Sequence, residues 1–494
     1  MTFSTTIKPT VLPLVREFCS QLAEKGVRYC HWKSNDVLER SASGQNDLDL
    51  LISTEDSGAF EVILERLGFR QAEVPSDARV PGIINYYGYD HQGQKWVHVH
   101  AHYRLVVGHD LLKNYHLPVE RVFLDNAVQD GLFMVPPPEI QLIVFVIRMV
   151  IKHWGVADVL SGRSGLRPTE KHELAYLLSS ADEGLVRAAL DRHFPSIGAS
   201  MFAECISLLH GKRSSAIRGM RAGRQMHRAL KGYARYSAFA YALLRALHRS
   251  RRVFRSRILR AFPKKWLPTG GAVIALVGGD GSGKTTAVSD IDAWISKRFR
   301  TLRVHMGKPP RSVASLALDL MLKAISLVKG TTAPGGKKTL LDAVFLQVAA
   351  CRSISTARDR YLVYRKASRC ASRGTVVICD RYPLPYITQM DNLKQVRDAC
   401  MSRVVQDMMM RAGYYYYRKI KPPDLLVVLK LAPETAVQRK TDENPVSVRN
   451  RNSEIWETDW EHKGAFVIDA GCSREEVQAQ LRAIIWDHLS HGGI

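Results

Sequence analysis

The sequence predicts an α/β protein in which a doubly wound parallel sheet follows an α+β domain and a basic helical linker. With 494 residues the chain is too long for a single hydrophobic core, so two or three domains are expected. Short apolar runs alternate with helical patterns from residue 269 onward, as in a parallel sheet covered by helices. Between Cys205 and Gly279 there is no Asp or Glu. We therefore expect domains at 1–210 and 269–494, joined by a linker at 211–268.

The most informative motif opens the C-terminal domain. The apolar run Val273–Val277 leads into a glycine-rich loop and then a helical pattern, the context of a phosphate-binding loop. The matching residues are Gly278, Gly279, Asp280, Gly281, Ser282, Gly283, Lys284, Thr285 and Thr286. The glycines let backbone N–H groups surround a phosphate, and the helix N-terminus adds its positive dipole end. In such loops the lysine reaches the β- and γ-phosphates and the next hydroxyl ligates Mg²⁺. The motif predicts ATP and Mg²⁺ as cofactors.

A second buried run, Thr375–Cys379, ends at Asp380 and Arg381. Ligands of open parallel sheets bind at the carboxyl ends of the strands, so both residues are expected beside the phosphate-binding loop. A carboxylate there can hold Mg²⁺ or its water shell, and an arginine can neutralise phosphoryl oxygens. Apolar runs at 424–431 and 465–470 predict two further strands. Between them, the basic and polar stretch 439–451 has the composition of a lid loop that closes over phosphates.

Together these motifs resemble the thymidylate kinase group of nucleoside monophosphate kinases, over residues 269–494. The resemblance implies an enzyme that moves the γ-phosphoryl group of ATP to a nucleotide or a related phosphorylated small molecule. It implies that Asp280 lies toward the acceptor sugar, that Arg381 touches the acceptor phosphate, and that Asp380 positions metal or acceptor. The arginines implied to clamp the transferring phosphoryl group are Arg439 and either Arg449 or Arg451.

The chain departs from that group where the acceptor is read. Val277 stands where family members usually carry a glutamate before the first glycine. Residues 383–389 (PLPYITQ) differ from the paired serines and the Ala-Tyr-Gln segment that frame thymine, and Gln389 is out of register. The acceptor therefore need not be thymidylate.

In the N-terminal domain, Asp47 and Asp49 are two residues apart on a predicted strand and share one face. Nucleotidyltransferases hold two Mg²⁺ ions with such a pair. The region resembles a divergent minimal nucleotidyltransferase, with His31-Trp32-Lys33-Ser34 in place of its Gly-Ser turn. Both an active site and a retained inactive fold are compatible with this pattern.

The strand on which that fold carries its third acid reads Lys95-Trp-Val-His98-Val-His100-Ala-His102 instead. Histidines at a period of two share a face of the strand. They predict either a metal-ligating row or a solvated, cross-strand-paired face. Apolar helical patterns from Pro136 to about Cys205 predict a helical cap on this domain.

The linker carries much of the net charge of +24, because seventeen Lys and Arg lie between Cys205 and Gly279. Apolar residues recur among its arginines at helical spacing, which predicts one or two basic amphipathic helices. Residues 228–265 could lie on an anionic membrane surface, bind nucleic acid, or simply connect the domains.

Eight scattered cysteines without a C-x-x-C pair, and no secretory pattern at the N-terminus, predict a cytoplasmic protein, peripheral at the inner membrane surface if the linker binds lipid. A homodimer is compatible with the sequence. The alternative function is a nucleotide-sensing regulatory or defence protein, in which the N-terminal domain acts as a nucleotidyltransferase. A pure switch has no need of an arginine on the acceptor phosphate, so we favour the kinase.

Overall fold

A computed structural model describes residues 10–109, 112–154, 165–211, 216–257, 264–330, 340–385, 387, 393–397, 402–441 and 443–491. Contacts divide the chain into two compact units, Met1–Pro263 and Lys264–Ile494. Parts of the predicted linker (212–215 and 258–263) and Gln389 of the expected acceptor segment lie outside the described residues.

The N-terminal unit is built on a mixed sheet in the order β1-β2-β5-β4-β3. β2 and β5 are parallel, and the other neighbours are antiparallel. The strands are β1 (Tyr29–His31), β2 (Leu48–Ile52), β3 (Arg70–Ala72), β4 (Ile83–Asp90) and β5 (Lys95–His102). Two hairpins follow, β6 (Val106–His109) with β7 (Leu112–His116) and β8 (Val128–Asp130) with β9 (Phe133–Val135).

Side chains of β2 and β5 alternate between the two faces of this sheet. Leu48, Leu50, Val97 and Val99 belong to the core formed with α1 (Pro13–Glu24) and α3 (Ser57–Arg66). The intervening positions, Asp49 and the three histidines of β5 among them, therefore project from the opposite face. α2 (Leu38–Ala42) connects β1 to β2.

Further helices of this unit form a second core around one of them, α5 (Pro138–His153), which is apolar on nearly every side. They are α4 (Glu120–Asp125), α5 (Pro138–His153), α6 (Pro168–Ser180), α7 (Glu183–His193), α8 (Ala199–His210) and α9 (Ala216–Ala229). The sequence predicts that residues 216–229 belong to the linker, but Ala222 and Met226 of α9 are buried in this core. The buried face of α9 lies between its arginines and consists of Gly219, Ala222, Gly223 and Met226. A Cβ on Gly219 would come within 1.8 Å of the Trp154 ring.

The predicted linker also contains α10 (Ala238–Arg257), which lies within the N-terminal unit. Phe239, Leu243, Leu247 and Phe254 recur at intervals of four and seven residues and are 44–80 % exposed. They form an outward apolar stripe on a helix that contains six arginines and no acid. Within the described part of the chain, no helix is both long enough and apolar enough to cross a bilayer.

The C-terminal unit contains the predicted parallel sheet, with five strands in the order β11-β12-β10-β13-β14. They are β10 (Val273–Gly278), β11 (Thr301–His305), β12 (Val376–Asp380), β13 (Leu425–Lys430) and β14 (Phe466–Asp469). The helices are α11 (Lys284–Ile295), α12 (Val313–Gly330), α13 (Leu340–Ala371), α14 (Lys394–Arg397), α15 (Arg403–Tyr417), α16 (Pro433–Arg439), α17 (Pro445–Glu457) and α18 (Arg474–His491).

The order of the strands positions the site. Because β10 is paired with both β12 and β13, the loop after β10 lies between the carboxyl ends of its two neighbours. The expected lid stretch 439–451 is not a loop throughout, because α17 begins at Pro445. The Asn444 side chain caps this helix by accepting hydrogen bonds from Val446 N (2.9 Å) and Ser447 N (3.4 Å).

Because α9 packs closely against Trp154, we expect Gly219→Ala to destabilise the N-terminal unit. The added methyl group has no space, so we expect the free energy of unfolding to fall by about 1–3 kcal/mol, with a lower Tm. Gly58→Ala is the control, since Gly58 is also helical and a Cβ there meets nothing within 4 Å. This variant should match the wild type or gain up to about 1 kcal/mol. Thermal unfolding followed by circular dichroism measures both; equal Tm values for the two variants would contradict the prediction.

Candidate functional site

The candidate site of the C-terminal unit starts from the loop between β10 and α11. Gly283 has a φ of +79°, a conformation that favours glycine, and it immediately precedes the first helical residue. Gly279 is required for space, because a Cβ there would lie 1.7 Å from Asn452 Oδ1. The loop is thus shaped both by its own backbone and by a side chain of α17.

Lys284 is buried at the start of α11, with 7 % of its surface exposed. Its Nζ donates to the carbonyl oxygen of Gly279 and lies 3.5 Å from Ser282 Oγ. Burial, and then the nearby Arg381 guanidinium, lower the pKa of Lys284 to about 8. An anion held by the loop would favour the charged form and raise this pKa again.

Thr285 and Asp380 meet across the ends of β10 and β12. The Thr285 hydroxyl donates to Asp380 Oδ2 at 3.3 Å, and Asp380 is only 2 % exposed. A hydroxyl and a carboxylate are hard oxygen donors of the kind that Mg²⁺ takes beside phosphates. The residues present therefore fit this ion.

Asp280 lies between two arginines. Arg451 Nε is 2.9 Å from Asp280 Oδ2, and Arg381 Nη2 is 3.6 Å from Asp280 Oδ1. Arg451 also pairs with Glu443, on the segment before α17. Arg381 has a φ of +66°, which is uncommon outside glycine and carries a strain of order 1–3 kcal/mol. Three predicted site residues are thereby brought together beside the loop.

The other two predicted arginines differ from each other. Arg439 Nη1 donates to the carbonyl oxygens of Ala470 (3.0 Å) and Gly281 (3.4 Å), so it ties the phosphate-binding loop to the turn after β14. Arg449 is exposed on α17, and it makes no ion pair with the described residues. Of the two alternatives left open by the sequence, Arg451 is the one that contacts Asp280.

Two buried residues of this site were missed from the sequence. Asn452 is 1 % exposed and donates to Val448 O, while its Oδ1, against Gly279, finds no partner among the described residues. Arg360 is 2 % exposed and donates to Met306 O (3.0 Å) and Gly307 O (3.2 Å), which fixes the turn after β11. Neither belongs to a recognisable motif, and only the fold brings Asn452 to the phosphate-binding loop and Arg360 to the turn after β11.

In the N-terminal unit, Asp47 and Asp49 each face cationic or imidazole groups of the same unit. Lys33 Nζ and His100 Nδ1 lie 2.8 and 3.0 Å from Asp49 Oδ1. His98 Nδ1 lies 2.9 Å from Asp47 Oδ1.

The pKa of Asp49 is the outcome of opposing effects. Burial alone would raise it, but Lys33 and His100 hold the pKa of Asp49 well below its usual range. Burial lowers the pKa of His100 to about 4. The two acids lie at the amino end of β2, facing the histidine row of β5 that the sequence had singled out.

No protein-family model matches the chain. The chain is 25 % identical over 232 residues to the uncharacterized ATP-binding protein YghR of Escherichia coli K12, covering 44 % of this chain and 90 % of the relative. The figures are the same for YghR of Escherichia coli O6:H1. Thymidylate kinase from Candida albicans is a structural neighbour with a TM-score of 0.29 and 16 % identity, covering 45 % of this chain and 94 % of that chain.

Proposed function

We propose that the C-terminal unit is an ATP-dependent phosphotransferase that moves the γ-phosphoryl group to a nucleotide or a related phosphorylated small molecule. The observation that carries this proposal is the contact between Thr285 and Asp380 at the mouth of the phosphate-binding loop. It joins a triphosphate motif to the oxygen donors of a metal-dependent phosphoryl transfer. The ATP-binding relative supports the choice of triphosphate.

Phosphoryl transfer needs mainly positioning and charge neutralisation. The loop amides and the Lys284 ammonium would hold the phosphates, with Lys284 exchanging Gly279 O for phosphate oxygens. Thr285 and Asp380 would hold Mg²⁺, which when bound neutralises charge on the phosphate oxygens. Arg381 and Arg451 each present a guanidinium group to Asp280, and an acceptor phosphate would be bound by these two groups.

The acceptor side favours a kinase over a nucleotide-sensing switch. A switch must bind a triphosphate, but it gains nothing from a strained arginine that lies outside the phosphate-binding loop and faces an acid of that loop. Arg381 carries that strain, which is retained where the surrounding structure enforces it, frequently at functional sites. Asp280 between two arginines is suited to a ligand that carries both a phosphate and hydroxyl groups, such as a nucleotide.

Lys284→Ala should abolish tight ATP binding, because it removes the charge-assisted contacts to the phosphates. Titration calorimetry with Mg²⁺-ATP measures the change, and we expect a loss of about 10-fold or more in affinity, since hydrogen bonds to charged groups contribute about 1.5–3 kcal/mol. Lys297→Ala, a change in an exposed lysine just beyond α11, is the control and should bind as the wild type does. An unchanged Kd in Lys284→Ala would remove the basis of the triphosphate site.

Arg381→Ala should separate turnover from ATP binding. We expect phosphotransfer to fall by about two orders of magnitude or more, because the acceptor phosphate would lose the guanidinium group that positions it for the reaction. The Kd for ATP should stay within about threefold, well under the 1.4 kcal/mol that a tenfold change represents. Arg373→Ala is the matched control. Arg373 is exposed and lies shortly before the amino end of β12, whereas Arg381 follows the carboxyl end of that strand.

The measurement is a screen of nucleotides and sugar phosphates as acceptors with radiolabelled ATP, followed by kinetics on the best acceptor. Equal losses of turnover and of ATP affinity in Arg381→Ala would assign this arginine to the triphosphate instead of the acceptor.

We also propose that the protein acts at an anionic membrane surface through residues 228–265, of which 258–263 lie outside the described part. The exposed stripe of α10 offers apolar side chains to the lipid boundary, and Arg249, Arg251 and Arg252 offer charge to acidic headgroups. The absence of acids from this segment removes the repulsion that such a surface would otherwise meet.

Sedimentation with phosphatidylserine-containing vesicles tests this placement. The double variant Arg251→Ala/Arg252→Ala should lose about 2 kcal/mol of binding, roughly 30-fold in partitioning, at about 1 kcal/mol per basic residue. Raising the salt concentration should weaken wild-type binding as well.

Arg187→Ala/Arg192→Ala, in exposed positions of α7, is the control with the same change of charge. Wild-type protein that stays in the supernatant at low salt would leave α10 as a connector, and RNA binding without vesicle binding would assign it to nucleic acid.

A further inference from the structure

Outside the proposed kinase site, the N-terminal sheet carries a cluster of side chains that can bind a metal ion. The cluster lies on the face opposite α1 and α3. Asp49 on β2 and His100 on β5 are direct partners in the parallel ladder, and His102 follows two residues later on the same face. One ligand atom from each residue lies within 4.8 Å of the other two. Backbone pairing therefore sets these positions, and they do not depend on a flexible loop.

The distances between the three ligand atoms are close to those between ligands of a single metal ion. Asp49 Oδ1 and His100 Nδ1 are 3.0 Å apart, His100 Nδ1 and His102 Nε2 are 3.3 Å apart, and His102 Nε2 and Asp49 Oδ1 are 3.9 Å apart. Ligands at bond lengths of about 2.0–2.1 Å around a tetrahedral ion lie about 3.3 Å from one another. One ion could therefore be bound by all three atoms after small adjustments.

His102 is the residue that a metal ion would satisfy most. Its side chain is fully buried, and its Nδ1 has no partner among the described residues. Its Nε2 faces His100 Nδ1. When His100 Nδ1 carries a proton, it donates that proton in a hydrogen bond to Asp49. The lone pair of His102 Nε2 then has no donor, which is costly for a buried polar group. Coordination would replace that deficit with a bond.

We propose that Asp49, His100 and His102 bind one divalent transition-metal ion of the zinc class. Two imidazoles and one carboxylate favour such an ion over Mg²⁺, which prefers oxygen ligands throughout. Three protein ligands leave a fourth position for water or a substrate atom. The site is separate from the proposed kinase, and it differs from a two-magnesium site on Asp47 and Asp49.

Lys33 competes with the proposed metal ion for Asp49, which makes the proposal testable. Its ammonium lies 2.8 Å from Asp49 Oδ1, the oxygen that the metal would use. The lysine must therefore release or share the carboxylate when the metal binds. Removing its charge should tighten metal binding, whereas a merely misfolded variant would bind more weakly.

The experiment is a titration of the metal-free full-length protein with Co²⁺, followed by the visible absorption bands of tetrahedral cobalt and by displacement with Zn²⁺. We expect about one Co²⁺ per chain. Lys33→Met should increase its affinity about tenfold or more. His100→Ala and His102→Ala should each weaken it by more than the roughly 10–100-fold that loss of a supporting outer-shell partner costs.

His98→Ala is the matched control, because His98 lies on the same strand and face but bonds to Asp47 and Asn85. It should keep the cobalt bands and the wild-type affinity, and excess Mg²⁺ should not displace the metal. Circular dichroism confirms that each variant is folded. The proposal is overturned if neither the wild type nor Lys33→Met shows tetrahedral bands, if the bands survive in His100→Ala and His102→Ala, or if Mg²⁺ displaces the ion.

Discussion

The register of β10 against β12 is the constraint on which the C-terminal site depends. Leu276 is the ladder partner of Asp380, and the Arg381 amide donates to Leu276 O at 3.1 Å. This pairing holds a carboxylate beside the loop that follows β10, and it brings Arg381 toward Asp280. A slip of one residue would turn both side chains to the other face of the sheet. The precision of the site is thus a property of backbone hydrogen bonds more than of the loop itself.

The N-terminal unit uses the same device with different chemistry. The ladder partners Asp49 and His100 bring a carboxylate and an imidazole together, as Leu276 and Asp380 align a loop and a carboxylate in the other unit. In each unit an acid of the candidate site already faces a cation, Asp49 facing Lys33 and Asp280 facing Arg451. Bringing such acids out of water is costly unless they are paired, which explains why each has a partner close at hand.

The parts of the molecule that follow from local sequence could be predicted, and those that follow from distant contacts could not. Apolar runs and the glycine pattern predicted four of the five parallel strands of the C-terminal sheet, whereas β11 was missed because this edge strand is half-exposed and its apolar residues are few. The small residues of α9 gave no hydrophobic signal, so its burial was missed. Only the fold brings Asn452 to Gly279 of the phosphate-binding loop, 173 residues away in sequence, and Arg360 to Met306 of the turn after β11, 54 residues away.

Asp280 acts as an internal counterion for two guanidinium groups. Without it, the pair would attract any small anion, and abundant inorganic phosphate would compete for the same surface. With it, a single phosphate at the proposed acceptor site would have to displace a carboxylate that is already bound, so a weakly bound anion would gain little. A ligand that also offers hydroxyl donors can hydrogen-bond the displaced carboxylate and so recovers that cost. Selectivity for an organic phosphate over the free ion would then arise from competition within the protein, without any pocket shaped to the rest of the molecule.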